Sequence, residues 1–131
     1  MTNYQISLDK KVYGLLKQGL DVSSLRSKVS ANNIANINTK GYKRQFVTFE
    51  ESLKDSQDKL ELTDEKHMDM DGGTGNIQLK RDTTTSMNQD GNNVDIDNEM
   101  VNQAANNLMY NALVTQMNNR ISITKYVING K

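Results

Sequence analysis

The chain has 131 residues and a mass of 14.8 kDa, room for one domain or for a pair of long helices with a connector, and too little for two ordinary domains. Apolar residues make up 35% of it, the mean hydropathy is −0.73, and sixteen basic residues balance sixteen acidic ones; a large private core and a global field that would draw the chain onto DNA or an anionic membrane are both argued against. Cysteine, tryptophan and proline are absent, which removes disulfides, thiolate metal sites and thiol catalysis and leaves long helices uninterrupted.

The amino-terminal segment lacks a basic region followed by an apolar run, so no cleaved secretory leader is expected, and no stretch is apolar and long enough to span a bilayer. From Tyr4 to about Asn36, the positions Leu8, Val12, Leu15, Val22, Leu25 and Val29 recur at helical spacing with a narrow stripe. Thr2 and Gln5 can form a capping box, and Gly41 is the expected stop. Gly14 and Gly19 lie inside this helix, each costing about 0.5–1 kcal/mol relative to Ala. Alone, such a helix is marginal.

The middle reads differently. Phe46 to Phe49 could be a short strand, Glu50 to Leu62 is charged and at most briefly helical, Asp71 to Gly75 is a turn cluster, and Ile77 to Leu79 could pair as a second strand. Asp90 to Asn93 is a further turn. A second helix then opens at Asp95 or Asp97 and runs to about Tyr126 or Val127. With Asp97 as N-cap, Ile96 and Val101 would form a hydrophobic staple and Glu99 would place negative charge in the first turn. Val101, Ala105, Leu108 and Ala112 make one apolar stripe; Tyr110, Leu113, Met117, Ile121 and Ile128 make another, offset from it. Two apolar faces call for more than one neighbour.

Candidate chemistry is thin. His67, Asp69 and Asp71 with Gly72 follow the start of a calcium loop, but Gln78 stands where the bidentate Glu should be, and a solvated turn is the better reading. Asp95, Asp97 and Glu99 sit at a helix start, where acidic residues serve capping and the dipole. Gly72, Gly73 and Gly75 lack the Lys and Ser or Thr of a phosphate loop. His67 is the sole histidine, so no hydrolytic triad, no enzyme and no cofactor are expected. Lys40, Gly41 and Tyr42 followed by Phe46 and Phe49 imitate the aromatic strand of RNA-binding modules, but the spacing is lengthened by Lys43 to Gln45 and the surrounding β-α-β pattern is missing.

The run from Ser27 to Arg44, with its Ala31-Asn32-Asn33-Ile34-Ala35-Asn36 core followed by Thr39, Gly41 and Tyr42, resembles the signature of the axial proteins of the bacterial flagellum. Gly91 to Val101, leading into Asn107 to Val114, looks like the carboxy-terminal region of the proximal, B-type rod proteins, a subfamily also matched by Phe49, Leu53, Leu62 and Thr63. The resemblance spans nearly the whole chain. It departs at Lys40, where the family usually has Pro, and over Asp64 to Asp82, which match loosely.

The resemblance implies a structural subunit of the flagellar basal body rod, outside the inner membrane, exported without a cleaved signal peptide through the flagellar type III apparatus. Its implied partners are other copies of itself, other rod proteins and the adapter between membrane ring and rod; neither nucleic acid nor direct membrane insertion is among them. The expected fold is mostly α: an antiparallel, coiled-coil-like pair of long helices joined by an irregular middle with a short β-hairpin. Stretches 1–44, 45–93 and 94–131 together form one domain. Sparse apolar mass and many amide side chains suit helices that complete their core by polymerising. The expected assembly interface comprises Leu15, Val22, Leu25, Val29, Asn32, Asn33, Asn36, Gly41 and Tyr42 with Val101, Ala105, Leu108, Ala112, Leu113, Met117 and Ile121. Two rival readings are a small RNA-binding module using Tyr42, Phe46 and Phe49, and a helical export adaptor that binds one partner through its apolar stripes.

Overall fold

The computed structural model describes residues 3–49, 76–84 and 89–130. The expected calcium-like turn, the glycine cluster before Asn76, the stretch from Glu50 to Leu62 and Thr2 of the expected capping box lie outside them. Helix α1 spans Asn3–Ala35, strands β1 and β2 span Gln45–Thr48 and Gln78–Arg81, and helix α2 spans Ile96–Asn129. The molecule is a mostly helical pair with a small antiparallel ribbon beside it, as the periodicities predict.

Helix α1 stops at Ala35, before Gly41. Gly41, with a φ of 71°, instead turns the chain toward β1, and its N–H donates to the Asp90 carbonyl. Helix α2 begins at Ile96 with Asp95, not Asp97, as its N-cap: Asp95 has extended backbone, and its carboxylate accepts from the N–H groups of Asp97 and Asn98. This registration takes Ile96 and Val101 out of the two staple positions. The helix ends later than its apolar pattern, at Asn129, because Gly130 takes the left-handed conformation (φ 63°) and its N–H closes on the Tyr126 carbonyl.

The strands lie slightly off the expected runs. Gln45 pairs with Arg81, Phe46 with Lys80, Val47 with Leu79 and Thr48 with Gln78. A two-stranded ribbon is marginal alone, and this one leans on α1: Val22 and Val29 pack with Val47 and Phe49, flanked by Leu25 and Ile77. The later part of the apolar stripe of α1, Val22, Leu25 and Val29, therefore covers the ribbon and leaves a different face of this part of α1 to meet α2.

The two helices run antiparallel. Ser23 contacts Asn106 and Ser30 contacts Glu99, so seven residues forward on α1 match seven residues back on α2. Heptad spacing of this kind holds one face toward a partner along a coiled-coil-like seam. At Gly19 the helices come close, because a Cβ there would lie 3.2 Å from a Leu113 methyl.

Candidate assembly interface

Between residues 23–30 of α1 and 99–106 of α2 the seam is polar. The Ser23 hydroxyl donates to Asn106 Oδ1 at 2.9 Å, and Asn106 Nδ2 donates back to the Ser23 carbonyl at 2.8 Å. Gln103 Nε2 donates to the Ser27 hydroxyl at 3.0 Å. The Ser30 hydroxyl donates to Glu99 Oε2 at 2.8 Å, while Glu99 Oε1 takes the Arg44 guanidinium. Glu99 is only 2% exposed, and its buried charge is tolerable because both oxygens are engaged. Serines at positions 23, 27 and 30 facing the Asn106 and Gln103 amides and the Glu99 carboxylate fix one register, since a slip along the helix would strand several buried groups without partners.

A second polar joint locks the turn after α1 to the turn before α2. Asn33, 1% exposed, meets Gln45 with both ends of its amide: Nδ2 donates to the Gln45 carbonyl at 2.8 Å and Oδ1 accepts the Gln45 N–H at 3.0 Å. The Tyr42 hydroxyl donates to the same Oδ1 at 3.1 Å. Asn92, fully buried, donates from Nδ2 to the carbonyls of Asn36, Ile37 and Thr39 at 2.8–3.0 Å. Those carbonyls follow the end of α1; Asn36 and Thr39 also accept the N–H groups of Thr39 and Tyr42, so the Asn92 amide gathers a turn that is already partly bonded to itself. Asn93 accepts the Arg44 N–H and donates to the Asp82 carbonyl. Gly91 has a φ of 83°, the left-handed region that favours glycine; a Cβ there would lie 3.6 Å from the Gly41 Cα, an ordinary contact, so it is the backbone conformation and not the space that calls for glycine.

Two titrating groups respond to this setting. Burial holds the Tyr42 phenol above its ordinary value, with the Glu99 carboxylate adding to the effect and Arg81 opposing it. The hydroxyl and backbone N–H of Thr84 hold the Asp82 carboxyl below the usual range, helped by Arg44 and Lys43.

The anticipated interface residues divide by location. Val22, Val29 and Asn33 are buried inside the chain, and Leu25, Asn36, Tyr42, Leu113 and Met117 are partly buried. Leu15, Asn32, Gly41 and Ile121 are exposed, and so is the whole first stripe of α2, with Val101 67% and Leu108 74% exposed beside Ala105 and Ala112. Ile123, Tyr126, Val127 and Ile128 extend the uncovered apolar surface toward the end of α2. A cleft of about 310 Å³ between α1, β1 and α2 adjoins it, walled by Val29, Phe46, Val47, Ala105 and Met109.

Ser23, Ser30, Arg44, Asn92, Asn93 and Asn106 were not singled out from sequence, and Glu99 was assigned only to the helix dipole. The available signal was the polar spacing of four and three residues shared by Ser23, Ser27 and Ser30 and by Glu99, Gln103 and Asn106. The aromatics that imitate an RNA platform do not form one. Phe49 is buried, Tyr42 is tied to Asn33, and the Arg44 guanidinium lies 5.9 Å from the Phe46 ring centre.

Comparison with known proteins gives a consistent result. The family described as flagella basal body rod protein matches residues 19–43, the stretch that contributes Ser23, Ser30 and Asn33. The chain is 38% identical to the flagellar basal body rod protein FlgB of Bacillus subtilis (strain 168) over 117 residues, covering 88% of this chain and 91% of that protein. It is 32% identical to FlgB of Aeromonas hydrophila over 121 residues, covering 89% and 91%, and 36% identical to FlgB of Borreliella burgdorferi over 108 residues, covering 72% and 78%.

Proposed function

The chain belongs to the flagellar basal body rod protein family as a structural subunit serving motility, and from that premise we propose that its place is the proximal rod, in the shaft that carries torque from the membrane ring toward the hook. Other copies of itself, other rod proteins and the adapter between membrane ring and rod are its partners in this reading. It works outside the inner membrane, delivered by the flagellar type III export apparatus.

The observation that carries the reading is the division of labour on α2. Its inward face is spent on a polar seam that sets register, while Val101, Ala105, Leu108 and Ala112 remain uncovered. A chain that keeps its hydrogen bonds inside and its apolar stripe outside gains most of its burial by packing against neighbours. Torque transmission also needs a subunit that does not shear internally, and the joint built by Asn33, Asn92 and Asn93 braces both helix ends against the ribbon.

The test is to return the chain to cells whose own proximal rod gene has been deleted, then isolate basal bodies and image them. Restored hooks and swimming, with density for both helices in the proximal rod, are expected. Export of the chain without any rod or hook would overturn the assignment.

A further inference from the structure

Among the described residues, only one of the ribbon's two outer edges is open. On β1, the Asn33 amide occupies both backbone groups of Gln45, and Arg26 Nη2 reaches the Val47 carbonyl. On β2, all four residues are exposed, and among the described residues β1 is its sole strand neighbour. The Asp82 N–H donates to the Arg44 carbonyl, so the inward-facing backbone groups are those of Gln78, Lys80 and Asp82, and those of Leu79 and Arg81 lie on the open edge. An edge of this kind is a template for an extended segment.

Its charge selects the occupant. Lys80 and Arg81 stand on the edge strand, with Lys43 nearby donating to the Thr84 carbonyl. The neighbouring carboxylates are already engaged, Asp82 with Thr84 and Glu99 with Arg44. The balanced total charge of the chain hides a partition: residues 50–75 hold nine acidic and three basic side chains, so that segment is −6 and the remainder +6. It leaves β1 after Phe49, rejoins at Asn76, next to β2, and is twenty-six residues long. Neighbouring subunits brought together through α2 would set their positive bodies against each other unless an acidic segment lies between them.

We propose that the open edge of β2, with Lys80 and Arg81, docks the acidic 50–75 segment of a second copy of this chain. The proposal deepens the rod-subunit reading and rests on it. Edge and segment are different surfaces, so the contact is head-to-tail, the kind that propagates along an open helical assembly.

The experiment mixes unlabelled and heavy-nitrogen-labelled full chains and couples them with a zero-length carbodiimide, which joins a lysine to a carboxylate in direct contact. Lys80 should couple to carboxylates between 50 and 75 in mixed-isotope pairs. The yield should fall severalfold on going from 0.1 M to 1 M salt, where the screening length drops from about 10 Å to about 3 Å. Arg81→Glu, which leaves Lys80 available for coupling, should lower it likewise. Coupling of Lys80 to that segment in same-isotope pairs alone would overturn the proposal, as would its failure to couple while other lysines do. A chain that restores swimming to rod-deficient cells yet gives no mixed pairs removes the docking contact and leaves the rod assignment standing. Mixed pairs from a chain that never enters a rod do the reverse.

Discussion

Asn33 faces Gln45 as a strand would, one amide group donating to the Gln45 carbonyl and accepting its N–H. A side chain on a helix thereby completes the outer edge of β1 and ties the last turn of α1 to the ribbon. The same Oδ1 takes the Tyr42 hydroxyl, so one residue of the signature holds three groups at once.

Asn33→Asp should be more damaging than its small change in shape suggests. It replaces the Nδ2 donor by an oxygen opposite the Gln45 carbonyl, inside a site that is 1% exposed. A buried group left unpaired costs about 1–3 kcal/mol and more when charged, so urea unfolding followed by circular dichroism should show a loss of at least about 2 kcal/mol. A loss below about 0.5 kcal/mol would mean that the Asn33 pairing does not form in solution.

Asn92→Ala should loosen a segment distant in sequence. The Nδ2 group of Asn92 serves the carbonyls of Asn36, Ile37 and Thr39, and without it those acceptors lose their shared donor. We expect a destabilisation of about 1–3 kcal/mol and faster amide hydrogen exchange from Asn36 to Tyr42, with little change near Leu113. Unchanged exchange at that turn would show that another group supports it.

The periodicities of the sequence were enough to read both helices and their antiparallel pairing, and the aromatic run near Phe46 was enough to place a strand there. Apolar spacing did not say which face of α1 meets α2. Val22 and Val29 were expected at an assembly surface, and within the chain they pack against Val47 and Phe49 of the ribbon, whose apolar side chains need cover. Between residues 23–30 and 99–106 the interhelical contact is made by Ser, Asn, Gln and Glu, which periodicity arguments count as solvent-facing. Asn92 was unreadable for a related reason, since a turn residue gives no sign that its side chain will close a helix fifty-six positions earlier.

The two glycines within α1 should respond oppositely to the same change. A Cβ at Gly14 meets nothing within 4 Å, so Gly14→Ala should stabilise the isolated chain by about 0.5–1 kcal/mol through helix propensity alone. At Gly19 the new methyl would lie 3.2 Å from a Leu113 methyl, and pushing the helices apart should cancel that gain or reverse it. Thermal unfolding of the two variants compares them directly. Equal gains would show that the close approach at Leu113 is absent.

Alkaline pH should weaken the joint through Tyr42. Burial, followed by the Glu99 carboxylate, raises this phenol above its ordinary value of 10.0, so the folded chain favours the protonated form. Its contribution is complete below that ordinary value and is lost as pH climbs through the higher folded one. Above about pH 10 the wild-type chain should therefore lose stability more steeply than Tyr42→Phe, measured by urea midpoints across pH. Identical slopes would mean that the phenol titrates as freely in the folded chain as in the unfolded one.

Leu108→Asp separates folding from assembly. Leu108 is 74% exposed in the middle of α2, and its stripe faces away from the Ser23 to Asn106 seam. The isolated variant should unfold within about 0.5 kcal/mol of wild type, because an exposed substitution leaves the internal contacts intact and Asp is only a modestly poor helix former. If neighbouring subunits pack on this stripe, the same substitution places a carboxylate in a closed helix interface, where an unpaired charge is very unfavourable. Cells carrying it should make and export the subunit and yet build no hook. Asn106→Leu supplies the contrast, since it strikes the internal seam by removing the partners of Ser23 and should lower the stability of the isolated chain by about 1–3 kcal/mol. Normal swimming with Leu108→Asp would show that the exposed stripe is not an assembly surface. Loss of folding in that variant would show that the stripe is already covered within the subunit.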